Sequence, residues 1–137
     1  MKRSSGFTLI ELMLVLIIIG ALAAIAVPRL VGRTQEAKIK TAYAAVNGGL
    51  STALKMYEVD NGNFPTASEG LKALLEKPAG AKNWKGPYLD KRSMLMDPWG
   101  NEYRYACPPQ RGGIDYDLYS RGPDGSEGGD DDVGNWE

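Results

Sequence analysis

The chain has 137 residues, with 16 Lys or Arg, 17 Asp or Glu and no histidine, for a formal net charge of −1. The length allows one domain beyond any membrane segment. The lack of histidine excludes Ser-His-Asp and Cys-His catalysis and a His-ligated zinc site. The balanced charge, without a basic patch interleaved with aromatics, gives no sign of nucleic-acid binding, and no nucleic-acid partner is predicted.

The first element in chain order is membrane-like. Lys2 and Arg3 precede Gly6, and an apolar run follows over residues 7–27, interrupted by Thr8 and by one carboxylate, Glu11. The run is long enough to span a bilayer as a helix. It is too long for the apolar part of a secretory signal, and no small-x-small cleavage site follows it. A charge near the start of such a segment is costly, which makes Glu11 a candidate functional residue. Lys2 and Arg3 favour a cytoplasmic N-terminus, but Arg29 and Arg33 on the other flank weaken that signal.

Pro28 interrupts the apolar pattern, yet helical spacing resumes beyond it. Ile39, Ala42, Val46, Leu50, Ala53, Leu54 and Tyr57 recur at steps of three and four. One helix is therefore predicted over about residues 7–59, with a weak stretch between Gly20 and Pro28. Its first half is apolar all round and its second half amphipathic. Asp60-Asn61-Gly62-Asn63 ends it, because Asn and Gly accept the left-handed conformation.

A loop-rich stretch comes next. Ser68 is predicted to cap a short helix over residues 68–76, with Leu71, Leu74 and Leu75 facing inward and Pro78 ending it. Gly86-Pro87 and Asp97-Pro98-Trp99-Gly100-Asn101 are turn signals. Two strands are predicted at residues 102–107 and 114–121, the second with Ile114, Tyr116, Leu118 and Ser120 on one side. Cys107, the single cysteine, excludes an internal disulfide and is read as a small hydrophobe buried on a strand. Trp99 and Trp136 are read as pinning loops to the helix. The predicted fold is α+β: a long N-terminal helix packed against a small antiparallel β-sheet.

Gly6-Phe7-Thr8-Leu9-Ile10-Glu11 resembles the processing motif of type IV pilins and pseudopilins. The resemblance implies that a prepilin peptidase cuts between Gly6 and Phe7 and methylates the new amine of Phe7. It also implies a filament packed through these helices, in which Glu11 faces the amine of Phe7 on a neighbouring subunit. That pairing would offset the cost of a carboxylate in hydrocarbon.

The middle of the chain narrows the resemblance. Phe64-Pro65-Thr66, Glu69-Gly70-Leu71-Lys72-Ala73-Leu74, Gly86-Pro87-Tyr88-Leu89 and Asp97-Pro98-Trp99-Gly100-Asn101-Glu102-Tyr103 are similar to the G-type major pseudopilins of type II secretion systems. So are Asp117-Leu118-Tyr119-Ser120, Gly122-Pro123-Asp124-Gly125 and Val133-Gly134-Asn135-Trp136. The resemblance covers essentially the whole chain in order. It implies a pilin-like fold with three parts: a leader over 1–6, a transmembrane or filament-core helix over 7–29, and a globular head over 30–137.

The C-terminal stretch carries a second chemical signal. Asp124, Glu127, Asp130, Asp131, Asp132 and Glu137 follow Gly122 with no base among them. Carboxylates and glycine-loop carbonyls together could supply the oxygens calcium requires. The spacing is not that of an EF-hand, and composition alone favours a solvated, disordered acidic tail. The family resemblance implies a calcium loop. It carries over Asp124 and the backbone carbonyl of Arg121, and adds Asp130 and Asp132. The loop is shorter than the family pattern, which leaves the role of Asp131 open.

No catalytic residues are predicted. The resemblance implies a structural subunit of the type II secretion pseudopilus, a helical homopolymer that drives folded proteins through the outer-membrane secretin. It also implies minor pseudopilins and an inner-membrane assembly platform as partners. The chain would be a single-pass inner-membrane protein with a periplasmic head before assembly, and periplasmic pseudopilus after. The alternative is a type IV pilin for adhesion, motility or DNA uptake, which shares the first thirty residues.

Overall fold

The computed structural model describes residues 6–136, and the backbone alone at residues 29–31. Lys2, Arg3 and Glu137 lie outside the described residues. The chain divides into two compact units between Glu36 and Ala37. The first element, α1, runs from Leu9 to Ala44. It stays helical through Gly20 and Pro28, so the predicted weak stretch is not a break in the single chain. A helix can tolerate the lost N–H of one proline when the flanking residues are good helix formers.

Helical geometry changes further on. Ala45–Gly49 forms a π turn, closed by the Leu50 N–H donating to the Ala45 carbonyl. The wider turn alters the hydrogen-bond ladder, and the Asn47 amide donates to the Tyr43 carbonyl at 3.4 Å. Spacing rules assume 3.6 residues per turn and do not register this turn. Helix α2, Leu50–Asn61, then ends where predicted. Gly62 adopts φ 83° and its N–H reaches the Glu58 carbonyl.

Of the predicted face, Ala42, Val46, Leu50, Ala53, Leu54 and Tyr57 are buried, while Ile39 at its start is 41% exposed. Against them pack Leu71, Leu74, Leu89, Leu95, Tyr103, Tyr116 and Leu118. The predicted helix at 68–76 is a tighter 3₁₀ turn, Gly70–Leu74. Its start is a capping box set by Thr66 and Glu69, not by Ser68. Thr66 N–H donates to Glu69 Oε2 at 2.8 Å, and Glu69 N–H donates to Thr66 Oγ1 at 3.3 Å. Leu71 and Leu74 are buried and Leu75 half-buried. The segment at 84–89 is tied to the helix: Trp84 Nε1 donates to the Ala73 carbonyl and the Tyr88 hydroxyl donates to Asp60 Oδ2.

Three antiparallel strands form the sheet: β1 (Arg104–Ala106), β2 (Asp117–Ser120) and β3 (Val133–Gly134), in that order. Tyr105 pairs with Leu118, and Ser120 with Val133. Strand β3 has no signal of its own, being two residues inside a Gly-rich stretch.

The predicted alternation of the second strand fails at its start. Ile114 is 94% exposed, because the chain before Asp117 is wrapped around the Asp117 carboxylate instead of extended. From there on, all four residues of β2 are buried. A central strand covered on both faces loses the alternation that a half-buried strand shows. Cys107 lies just past β1 and is half-buried, its thiol 3.7 Å from the Asp115 carbonyl, rather than buried on the strand.

Candidate functional site

Two regions carry the predicted functional residues, one in each unit. At the N-terminal end, Gly6 and Phe7 precede α1 and are exposed, Phe7 by 85%. Thr8 and Glu11 form a capping box. Glu11 Oε2 accepts from the Thr8 N–H and from its hydroxyl, both at 2.8 Å, and the Glu11 N–H donates to Thr8 Oγ1 at 3.3 Å. The carboxylate thus satisfies helix N–H and O–H donors within its own chain. The apolar side chains that follow, among them Leu9, Ile10, Leu16, Ile17, Leu22 and Ile25, are all more than half exposed. Helix α1 is long and apolar enough to cross a membrane.

The second region is the loop after β2, which returns to the sheet as β3. Its entry is set by a buried relay. The Gly122 N–H donates to Ser120 Oγ, and the Ser120 hydroxyl donates to Asp97 Oδ2 at 2.6 Å. Asp97 Oδ1 accepts from the N–H groups of Trp99 and Asn101. The Asp-Pro-Trp-Gly-Asn motif is therefore a turn, as read, and also the anchor of the loop entry. Gly122 has φ 67°, and a Cβ there would lie 2.2 Å from the Asp131 carbonyl oxygen. The two ends of the loop touch through backbone at this glycine.

The loop's exit is held by Asn135. Its Oδ1 accepts from the Leu118 N–H and its Nδ2 donates to the Tyr116 carbonyl. Trp136 packs on Tyr119 of β2, with ring centres 5.3 Å apart. It pins the C-terminus to the sheet rather than a loop to the helix.

Of the predicted metal ligands, Asp132 is buried, Asp131 half-buried, and Asp124 and Asp130 exposed. Asp124 Oδ1 accepts from the Ser126 N–H, and Asp131 Oδ2 accepts from the Asp124 N–H at 3.3 Å. Asp132 Oδ2 accepts from Arg111 Nη1 and from the Gly128 N–H, both at 2.8 Å. Asp132 Oδ1 is buried and has no hydrogen-bond partner among the described residues. Among the described residues no three metal-ligating side chains converge on one point. The residues fit a calcium ion in part: Asp132 offers one desolvated carboxylate oxygen, and Asp124 and Asp130 are exposed on the same loop.

Sequence reasoning missed Asp117 and Arg111. Asp117 is fully buried and accepts from the N–H groups of Gln110, Arg111 and Gly113. Burial pushes its carboxyl up, but these backbone donors together with that of Gly112 outweigh it and hold the group below the usual carboxylate range. The Gly112-Gly113 pair beside a strand was the available signal. Arg111 had none, because its partners come from the far side of the chain.

Comparison with known proteins decides the family. A family described as "Type II secretion system (T2SS), protein G" matches residues 29–136, and the "Prokaryotic N-terminal methylation motif" matches residues 1–27. The chain belongs to the type II secretion system protein G family. It is 46% identical to the type II secretion system core protein G of Pseudomonas aeruginosa, covering 99% of this chain and 97% of that protein. It is 42% identical to the core protein G of Escherichia coli K12, covering 98% and 92%. The crystal structure of the major pseudopilin from the type 2 secretion system of enterohaemorrhagic Escherichia coli superimposes with a TM-score of 0.67 at 35% identity, covering 78% of this chain and 89% of that one. This protein G family member is thus a major pseudopilin, a structural subunit of the type II secretion pseudopilus, and the pilin-like α+β fold is the one its relatives share.

Proposed function

We propose that the chain polymerises through its apolar helix into a helical filament that drives folded proteins through the outer-membrane secretin. The observation that carries this is the exposed apolar surface from Leu9 to Val27 in the single chain. Such a surface requires lipid before assembly and neighbouring helices after it. A head-to-tail contact that does not close produces a filament.

The steps we propose are those the family resemblance implies. A prepilin peptidase cuts between Gly6 and Phe7 and methylates the Phe7 amine, removing Lys2 and Arg3 and leaving a net charge of −3. The N-terminus lies in the cytoplasm and the head in the periplasm. On assembly Glu11 exchanges its Thr8 donors for the Phe7 amine of a neighbouring subunit, which neutralises both charges in the filament core. Minor pseudopilins and an inner-membrane assembly platform complete the machine.

We further propose that calcium orders the loop after β2. Asp132, Asp124 and Asp130 and the Arg121 carbonyl would hold it, with the buried, unpaired Asp132 Oδ1 as the support for this reading. Bound calcium would supply charge neutralisation for the loop carboxylates. Deleting the gene tests the function: exoproteins should accumulate in the periplasm while surface pili and twitching persist. Normal secretion with lost pili would make the chain a type IV pilin instead.

A further inference from the structure

We propose that Arg111 is a positioning residue for the cation of this loop: with the Gly128 N–H it occupies Asp132 Oδ2, so that Oδ1 alone is presented to a divalent ion. The inference rests on the calcium reading above and adds a residue outside the acidic loop to it.

The geometry is asymmetric at one carboxylate. Asp132 has a side chain 5% exposed. Both of its donors, Arg111 Nη1 and the Gly128 N–H, reach the same oxygen at 2.8 Å. The other oxygen is buried, with no donor among the described residues. A buried anionic oxygen left without a partner is costly, and a cation is the group that relieves it. Asp132 lines one cleft together with Arg111, Gly128, Gly129, Asp130 and Trp136.

Arg111 is itself held at every point. Its N–H donates to Asp117 Oδ2 at 2.6 Å. Its guanidinium lies 4.5 Å from the Tyr119 ring centre. Nη2 is 3.9 Å from Glu127 Oε2, and the other Glu127 oxygen pairs with Arg104 Nε at 2.7 Å. Held by its backbone and over the Tyr119 ring, Arg111 keeps its guanidinium against Asp132 Oδ2 and leaves Oδ1 as the oxygen without a donor.

Groups that orient a metal-ligating carboxylate typically carry about 10- to 100-fold in metal affinity. The test is calcium titration by calorimetry on the full chain in detergent micelles, after chelator treatment. Wild type should bind calcium, and Asp132→Asn should lose most of the affinity. Arg111→Ala should weaken binding by about 10-fold or more. Arg111→Lys should recover a good part of it, since an ammonium still donates to Oδ2. Should Arg111→Ala fail to fold, Arg111→Met keeps the packing over Tyr119 and should show the same loss. Unchanged or tighter binding in the Arg111 variants would overturn the inference and leave the calcium reading intact. Failure of the wild type to bind would overturn both.

Discussion

Ser120 and Asp97, 23 residues apart, share a buried hydrogen bond of 2.6 Å that joins the end of β2 to the Asp-Pro-Trp-Gly-Asn turn. Ser120 also accepts from the Gly122 N–H at the start of the C-terminal loop. Removing the hydroxyl would leave a buried carboxylate oxygen short of its donor. Ser120→Ala should cost about 1–3 kcal/mol of stability in thermal unfolding of the full chain in detergent. Hydrogen exchange should quicken at Gly122, and an unchanged amide there would show that the relay does not hold the loop.

Asp117 sets an acid limit. Its carboxyl is held below the usual range, so its contribution is complete above the ordinary carboxylate pKa of about 4. It disappears as pH falls through the lowered folded-state value. Asp117→Asn should be less stable than wild type at pH 7 by about 1–3 kcal/mol, because backbone N–H groups would then face an amide. Melting curves from pH 7 down to pH 3 should show that gap closing as pH drops.

Gly49 lies at the end of the π turn with φ −58°, is exposed, and has open space where a Cβ would stand. Nothing in the single chain requires glycine there. Gly49→Ala should stabilise the chain by about 0.5–1 kcal/mol, read as a raised melting temperature. A drop would mean that the turn depends on glycine.

Gly62 is the opposite case, in the left-handed conformation at φ 83°. Gly62→Ala should destabilise by about 1 kcal/mol, and the sign difference between the two glycines is the check.

Glu11→Ala removes the carboxylate that Thr8 now holds and that the Phe7 amine would hold after assembly. Processed chain should remain in the membrane at normal levels while sheared filament, measured by immunoblot, is lost. Filaments at wild-type abundance would show that the pairing is dispensable.

The sequence by itself determined the apolar helix, its amphipathic continuation, the buried residues of that face from Ala42 to Tyr57 and the stop at Gly62. These features depend on local spacing and on backbone freedom, which a single segment carries. Residue order in the motifs was also enough for the family, later shown by the comparisons. Tertiary structure alone decided that Ile114 is exposed, that β2 is covered on both faces, and that β3 pairs with it. It also decided that Asp97, Asp117 and Arg111 hold the loops. Each of these depends on partners far along the chain, and a buried charged group is stable only once those partners are in place.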